Sequence, residues 1–194
     1  MSSHTLLEYS ANAFFLISVF LAARNHRHTW PLGIVGCVLF AVLFFQVQLY
    51  ADATLMLFYI GTSVIGWRQW QRGASAEAIS RSSWSQLALY LLIAVATLLG
   101  YGALLHLHTD AYAPFVDSAV LTFSVTAQLL LMKRRIETWW FWLIVNTIAV
   151  PLYASRELML TSMVYVGFWI NACYGLWRWH RELSKACQST TEPA

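Results

Sequence analysis

Charge is scarce in this chain. Asp, Glu, Lys and Arg make up 11 % of its 194 residues, less than half of the roughly 25 % typical of a soluble domain. That leaves too little polar surface to cover a globule in water. Lysine occurs only as Lys133 and Lys185. Both flank apolar runs, which excludes the retinal Schiff base of a seven-helix photoreceptor. Cysteine is nearly as rare: Cys37, Cys173 and Cys187 match no metal or redox spacing, and packing or a free tail thiol is expected. Four of the six histidines group as His26/His28 and His106/His108 in two loops, and neither pair makes a metal site without further ligands. There is no nucleophile–base pair and no phosphate loop, so neither an enzyme nor a bound cofactor is expected. Residues 1–8 contain no Lys or Arg, so the first apolar run does not open as a cleaved signal peptide would.

What is abundant is apolar length. Hydrophobic residues make up 59 % of the chain, in runs at 9–24, 31–47, 51–70, 84–105, 118–132, 138–154 and 158–178. Each approaches the 20 or so residues a helix needs to cross the hydrocarbon core, and several end in Trp or Tyr, as interfacial anchoring requires. Segments such as "LLIAVATLLG" do not alternate, which argues against outer-membrane strands. The expectation is an all-α integral membrane protein of seven transmembrane helices. Counted on seven spans, eleven of the twelve Lys and Arg fall on one side, with Arg156 alone on the other. The positive-inside rule then puts the N-terminus outside and the C-terminus in the cytoplasm. The +3 net charge therefore divides between two faces and implies no nucleic-acid partner. Glu8, Asp52, Asp110, Asp117 and Glu157 fall on the outer side, either as a mouth that concentrates cations or as solvated loop ends.

Self-similarity accounts for the odd helix number. Glu8 and Asp117, Trp30 and Trp139, and "GWRQW" at 66–70 and "GLWRW" at 175–179 are each 109 residues apart. "LY" and "LML" at 49–57 recur with an offset of 103, which would move the intervening turn six residues and lengthen the next helix. Two three-helix repeats, 8–70 and 117–179, need one extra crossing if they are to run parallel, and 84–105 supplies it as a linker helix. Residues 180–194 are expected as a cytoplasmic tail. This is a 3+1+3 plan in one membrane domain, and parallel repeats commonly place a substrate near the midplane at their interface.

Trp139, Trp142 and Asn146 are spaced i, i+3, i+7, within about 60° of one another on a helix. An amide at mid-membrane depth must face the bundle interior and pair there, either with another helix or with a solute. Indole faces attract cations, so the trio suits a flat cationic ring carrying an amide or hydroxyl. Gln128, with Asp117 and Ser124, forms a second stripe level with Trp142, and Tyr165, Asn171 and Tyr174 form a third. For each of these, interhelical packing is the alternative, and Met56, Met159 and Met163 read as filler. No ionised side chain lies deep in a span, which favours uniport over proton coupling.

Trp139-x-x-Trp142-x-x-x-Asn146, with "WPLGI" at 30–34, "LYAD" at 49–52, "GWRQW" at 66–70 and "DSAVLTFSVTAQLL" at 117–130, resembles the PnuC family of bacterial vitamin transporters over nearly the whole chain. The resemblance implies a SWEET-like fold, often trimeric, in the inner membrane. It also implies facilitated diffusion of an unphosphorylated vitamin that a cytoplasmic kinase then traps. It carries substrate binding onto Trp139, Trp142 and Asn146. Nicotinamide riboside fits a cation-and-amide site, with Gln128, Tyr165 or Asn171 for its ribose; thiamine, also a flat cation, is the alternative. Where the family often reads Leu-Gln, this chain has Leu55-Met56, one hydrogen-bonding group fewer. A non-transporting receptor or assembly subunit using the same amides structurally is the rival of a different class.

Overall fold

Seven helices, in chain order, account for most of the described residues in the computed structural model, which describes residues 3–46, 50–71, 78–108, 113–155 and 159–189. They are α1 (Ser3–Ala23), α2 (Thr29–Gln46), α3 (Tyr50–Gln71), α4 (Trp84–His108), α5 (Pro114–Met132), α6 (Thr138–Ser155) and α7 (Met159–Ser189). Arg72, Asp110, Arg156 and Glu157 lie outside the described residues, as do the side chains of Asp52 and Cys187. Leu6–Ala23, α2, α4 and α5 are long and apolar enough to cross a membrane. Helix α6 is diluted by three tryptophans, Asn146 and Pro151, so a helix that carries polar work pays in hydropathy. On α4, Leu89, Leu92, Ile93 and Leu99 are each more than half exposed. Such a surface is stable against hydrocarbon, not water.

The chain divides into two compact units, residues 1–78 and 79–194. In the first, α1 packs on α2 and α2 on α3; in the second, α4, α5, α6 and α7 each pack on the next. Gly36 lets α1 and α2 approach, since a Cβ there would lie 3.3 Å from the backbone nitrogen of Phe15. The linker helix belongs to the second unit. Ser118 Oγ donates to the Leu98 carbonyl at 2.9 Å, and Phe115 fills the space beside Gly102.

The two units repeat each other at an offset of 109. Asn25 and Arg134 both take positive φ, 52° and 49°, where asparagine is tolerated and arginine is strained. The Asn25 N–H donates to Ala22 O, and the Arg134 N–H donates to Leu131 O. Thr29 Oγ1 donates to Ser18 O at 2.7 Å, and Thr138 Oγ1 donates to Ala127 O at 2.7 Å. Helices α2 and α6 end at 46 and 155, and α3 and α7 begin at 50 and 159. The described helix bounds thus keep 109 rather than the 103 suggested by "LY" and "LML"; the turns themselves, 47–49 and 156–158, lie outside the described residues. Short apolar words recur by chance in a chain this hydrophobic. At the other end, α7 continues to Ser189, so most of the expected tail is helical.

Candidate functional site

Two side-chain hydrogen bonds set the depth of every candidate residue in the second unit. Thr138 Oγ1 on Ala127 O brings the start of α6 level with Ala127. Ser162 Oγ donates to Val150 O at 2.9 Å, fixing α6 against α7. Counting along antiparallel helices at 1.5 Å per residue, Tyr165 comes level with Asn146–Thr147 and Asn171 with Phe141–Trp142. Gln128 lies near the first turn of α6, with Trp142 roughly 6 Å and Asn146 roughly 12 Å further along it. Gln128 is thus one turn short of Trp142, where the spacing alone made them level. The six candidates form a ladder along α5, α6 and α7 rather than a ring at one depth.

They differ in environment. Asn146 is 3 % exposed and Gln128 9 %, yet neither carboxamide is hydrogen-bonded to any described residue. Buried polar groups are paired in the great majority of cases, and an unpaired one costs about 1–3 kcal/mol. Trp142 is half-buried and packs against the Ala127–Leu130–Phe141 cluster, with Leu87 and Tyr90 of α4 in the same contact set. Tyr165 stacks at a tilt on Tyr153, ring centroids 5.0 Å apart, and meets Phe168 edge-on. Asn171 and Tyr174 are half-buried, and Arg178 reaches the Tyr174 hydroxyl at 3.4 Å. Ser124 is buried on α5.

Trp139 is placed differently. It is 2 % exposed and meets Trp179 edge-on at 5.4 Å. Its ring occupies the space over Gly175, where a Cβ would come within 2.7 Å. Trp30 does the same in the first unit, against Trp70 at 5.3 Å and over Gly66, with a Cβ clearance of 2.6 Å. Neither buried indole N–H has an acceptor among the described residues. The orphan N–H is thus common to both twins and does not by itself single out Trp139 for a ligand.

Three features escaped the sequence reading. Tyr153 continues the Trp139–Trp142–Asn146 stripe at a further i+7, a signal that was there to be read. Thr147 accepts the Trp169 indole N–H at 3.1 Å. Residues 80–82, read as connector, form a strap across the α5–α6 turn. Ser80 N–H donates to Arg134 O, and Ile136 N–H donates to Ser80 O. Both oxygens of the buried Glu137 accept from Ser82, one from its N–H at 3.0 Å and one from its hydroxyl at 3.1 Å. Cys37 is buried and Cys173 half-buried, both as free thiols, and no metal-holding cluster occurs among the described residues.

Comparison with known proteins places this arrangement. The nicotinamide riboside transporter PnuC of Escherichia coli is 26 % identical over 84 % of this chain and 80 % of its own length. The PnuC of Neisseria mucosa is 24 % identical over 84 % and 68 %. The riboflavin/roseoflavin transporter RibM of Streptomyces davaonensis is 24 % identical over 87 % and 81 %. A crystal structure of the vitamin B3 transporter PnuC shares the fold, with a TM-score of 0.75 at 23 % identity over 93 % of this chain and 83 % of that one. The family described as nicotinamide mononucleotide transporter matches residues 5–181, and with nearly the whole chain covered, this protein belongs to that family of membrane transporters.

Proposed function

We propose that this chain carries nicotinamide riboside across the bacterial inner membrane by facilitated diffusion, with its N-terminus outside and its C-terminus in the cytoplasm. A cytoplasmic kinase then phosphorylates the riboside and so traps it, and the working assembly is a homotrimer. The observation that carries the reading is the pair of buried, unbonded carboxamides, Asn146 and Gln128. They lie on either side of the half-buried Trp142 in depth. Nicotinamide riboside supplies what each lacks. Its pyridinium is a flat cation for the Trp142 face, its carboxamide can both donate to and accept from Asn146, and its ribose hydroxyls suit Gln128, Asn171 and Tyr165.

Charge supports the riboside over the mononucleotide in the family's description. The buried charged residues among those described, Arg134 and Glu137, both lie in the α5–α6 turn. A phosphate beside Asn146 and Trp142 would meet no buried counter-cation among the described residues, at a cost of several kcal/mol. The same shortage of ionisable groups supports uniport. PnuC relatives named for nicotinamide riboside point the same way, while RibM shows that related chains take other flat vitamins. Met56 keeps thiamine as the second reading, because it removes one hydrogen-bonding group.

Proteoliposomes enclosing nicotinamide riboside kinase and ATP test this directly. Labelled riboside should accumulate, and liposomes enclosing thiamine or riboflavin kinase with their labelled vitamins should stay near background. Accumulation of thiamine alone would transfer the assignment to that vitamin, and background throughout would refute vitamin uniport.

A further inference from the structure

The second unit holds a groove of about 600 Å³ apart from the polar ladder, between the strap, the start of α6 and the cytoplasmic half of α7. The volume is within the range of about 300–1,000 Å³ typical of small-molecule sites. Its floor is apolar, with Leu87 and Leu176. Its rim is three indoles, Trp84, Trp140 and Trp177, which are 87 %, 56 % and 55 % exposed. Trp84 and Trp140 stand in the first turns of α4 and α6, where exposed indoles belong at the depth of lipid headgroups.

One end of the groove is polar and basic. The Arg81 guanidinium lies 3.1 Å from His180 Nδ1. Arginine can only donate, so Nδ1 accepts and the imidazole proton sits on Nε2. Arg81 keeps further N–H groups, and His180 offers one. Arg181 lies over the Trp177 ring at 4.9 Å. Neither arginine has a carboxylate partner among the described residues, whereas Arg178 is paired with Glu182 at 3.0 Å. Glu137, also in the groove wall, has both oxygens occupied by Ser82.

We propose that this groove binds one anionic membrane phospholipid. Arg81 and His180 take its phosphate, and an acyl chain lies along Leu176 and the Trp177 face. The pairing of unmatched guanidinium with an apolar trough at headgroup depth is the complement of such a lipid.

Native mass spectrometry of the full chain, released from detergent, tests the assignment by titration with phosphatidylglycerol, phosphatidylcholine and glycerol 3-phosphate. Phosphatidylglycerol should remain bound, with phosphatidylcholine, whose ammonium cancels the net charge, and the tail-less phosphate, which has no acyl chain to bury, at least about tenfold weaker. Arg81→Gln with His180→Gln should remove that preference. The strap should survive, because Arg135 contacts only the Arg81 backbone carbonyl. Trp177→Ala, on the exposed rim, should weaken both lipids and leave vitamin binding intact. Equal retention of the two lipids, competition by glycerol 3-phosphate at equal concentration, or a double variant that binds like the parent would each overturn the proposal.

Discussion

Replacing Asn146 by leucine separates a ligand-binding amide from a structural one, because the two roles predict effects of opposite sign. Asn146 is nearly buried and makes no hydrogen bond to a described residue. Burying an unsatisfied amide costs about 1–3 kcal/mol, so a similar-sized apolar side chain should leave the substrate-free protein as stable or more stable. At 2–4 °C per kcal/mol for a chain of this length, the midpoint should hold or rise by a few degrees. The fold already tolerates the exchange, since the position 109 residues earlier is the buried Cys37. Substrate affinity should move the other way. A carboxamide left facing leucine loses about 1–3 kcal/mol, a weakening of roughly five- to 140-fold. Thermal unfolding of Asn146→Leu in detergent, with and without nicotinamide riboside, gives the first quantity, and calorimetric titration gives the second. A lower midpoint with unchanged affinity would refute the reasoning and make Asn146 an interhelical tie.

Trp142→Ala should weaken riboside binding by about 1–2 kcal/mol through loss of the cation–π face, with a smaller effect on an uncharged analogue, measured by the same titration. Gly66→Ala and Gly175→Ala should each destabilise the fold by about 1–3 kcal/mol, because the new methyl group meets a fixed indole rather than a flexible chain end; equal midpoints to the parent in thermal unfolding would contradict this. Ser82→Ala should cost about 1–2 kcal/mol by leaving one oxygen of Glu137 unpaired, and Ser82→Ala with Glu137→Leu should recover part of it. Transport into kinase-free vesicles should be unaffected by an uncoupler; strong inhibition would defeat the uniport reading.

The helices were legible because each had to be long and apolar to exist in lipid at all, and the rarity of charge made the gaps between them plain. The repeat was legible through its tryptophans, since indoles are few enough for a shared spacing to stand out. Leucine and tyrosine words were not, and they produced the false offset at 49–57. The strap could not be read because "AISRSS" carries no periodicity; only the fold brings Ser82 onto Glu137. The role of Trp139 was hidden for a different reason. Spacing puts it on the face of Trp142 and Asn146, but what it touches depends on Gly175, 36 residues away. Helical periodicity assigns a face, not the neighbour across from it.

The two units share a frame and differ at the residues proposed to bind substrate. What repeats at 109 is the frame: the positive-φ turn, the threonine bond to the preceding helix, and the tryptophan held over a glycine. What does not repeat is the ladder. Gln128, Trp142, Asn146, Tyr165 and Asn171 stand where the first unit has Val19, Gly33, Cys37, Met56 and Thr62. Gly33 faces Ser18 Oγ at 2.9 Å from where a Cβ would stand, so the first unit is closed at the position where the second opens an indole. Buried amides are costly in a bundle that needs only to pack, and the first unit, on the same frame, manages without them. The two buried amides without a hydrogen bond to a described residue, Asn146 and Gln128, both stand in the second unit, where the proposed solute would complete their hydrogen bonds. A binding-competent variant in which all five residues were exchanged for their first-unit counterparts would break that explanation, because the frame would then suffice for recognition.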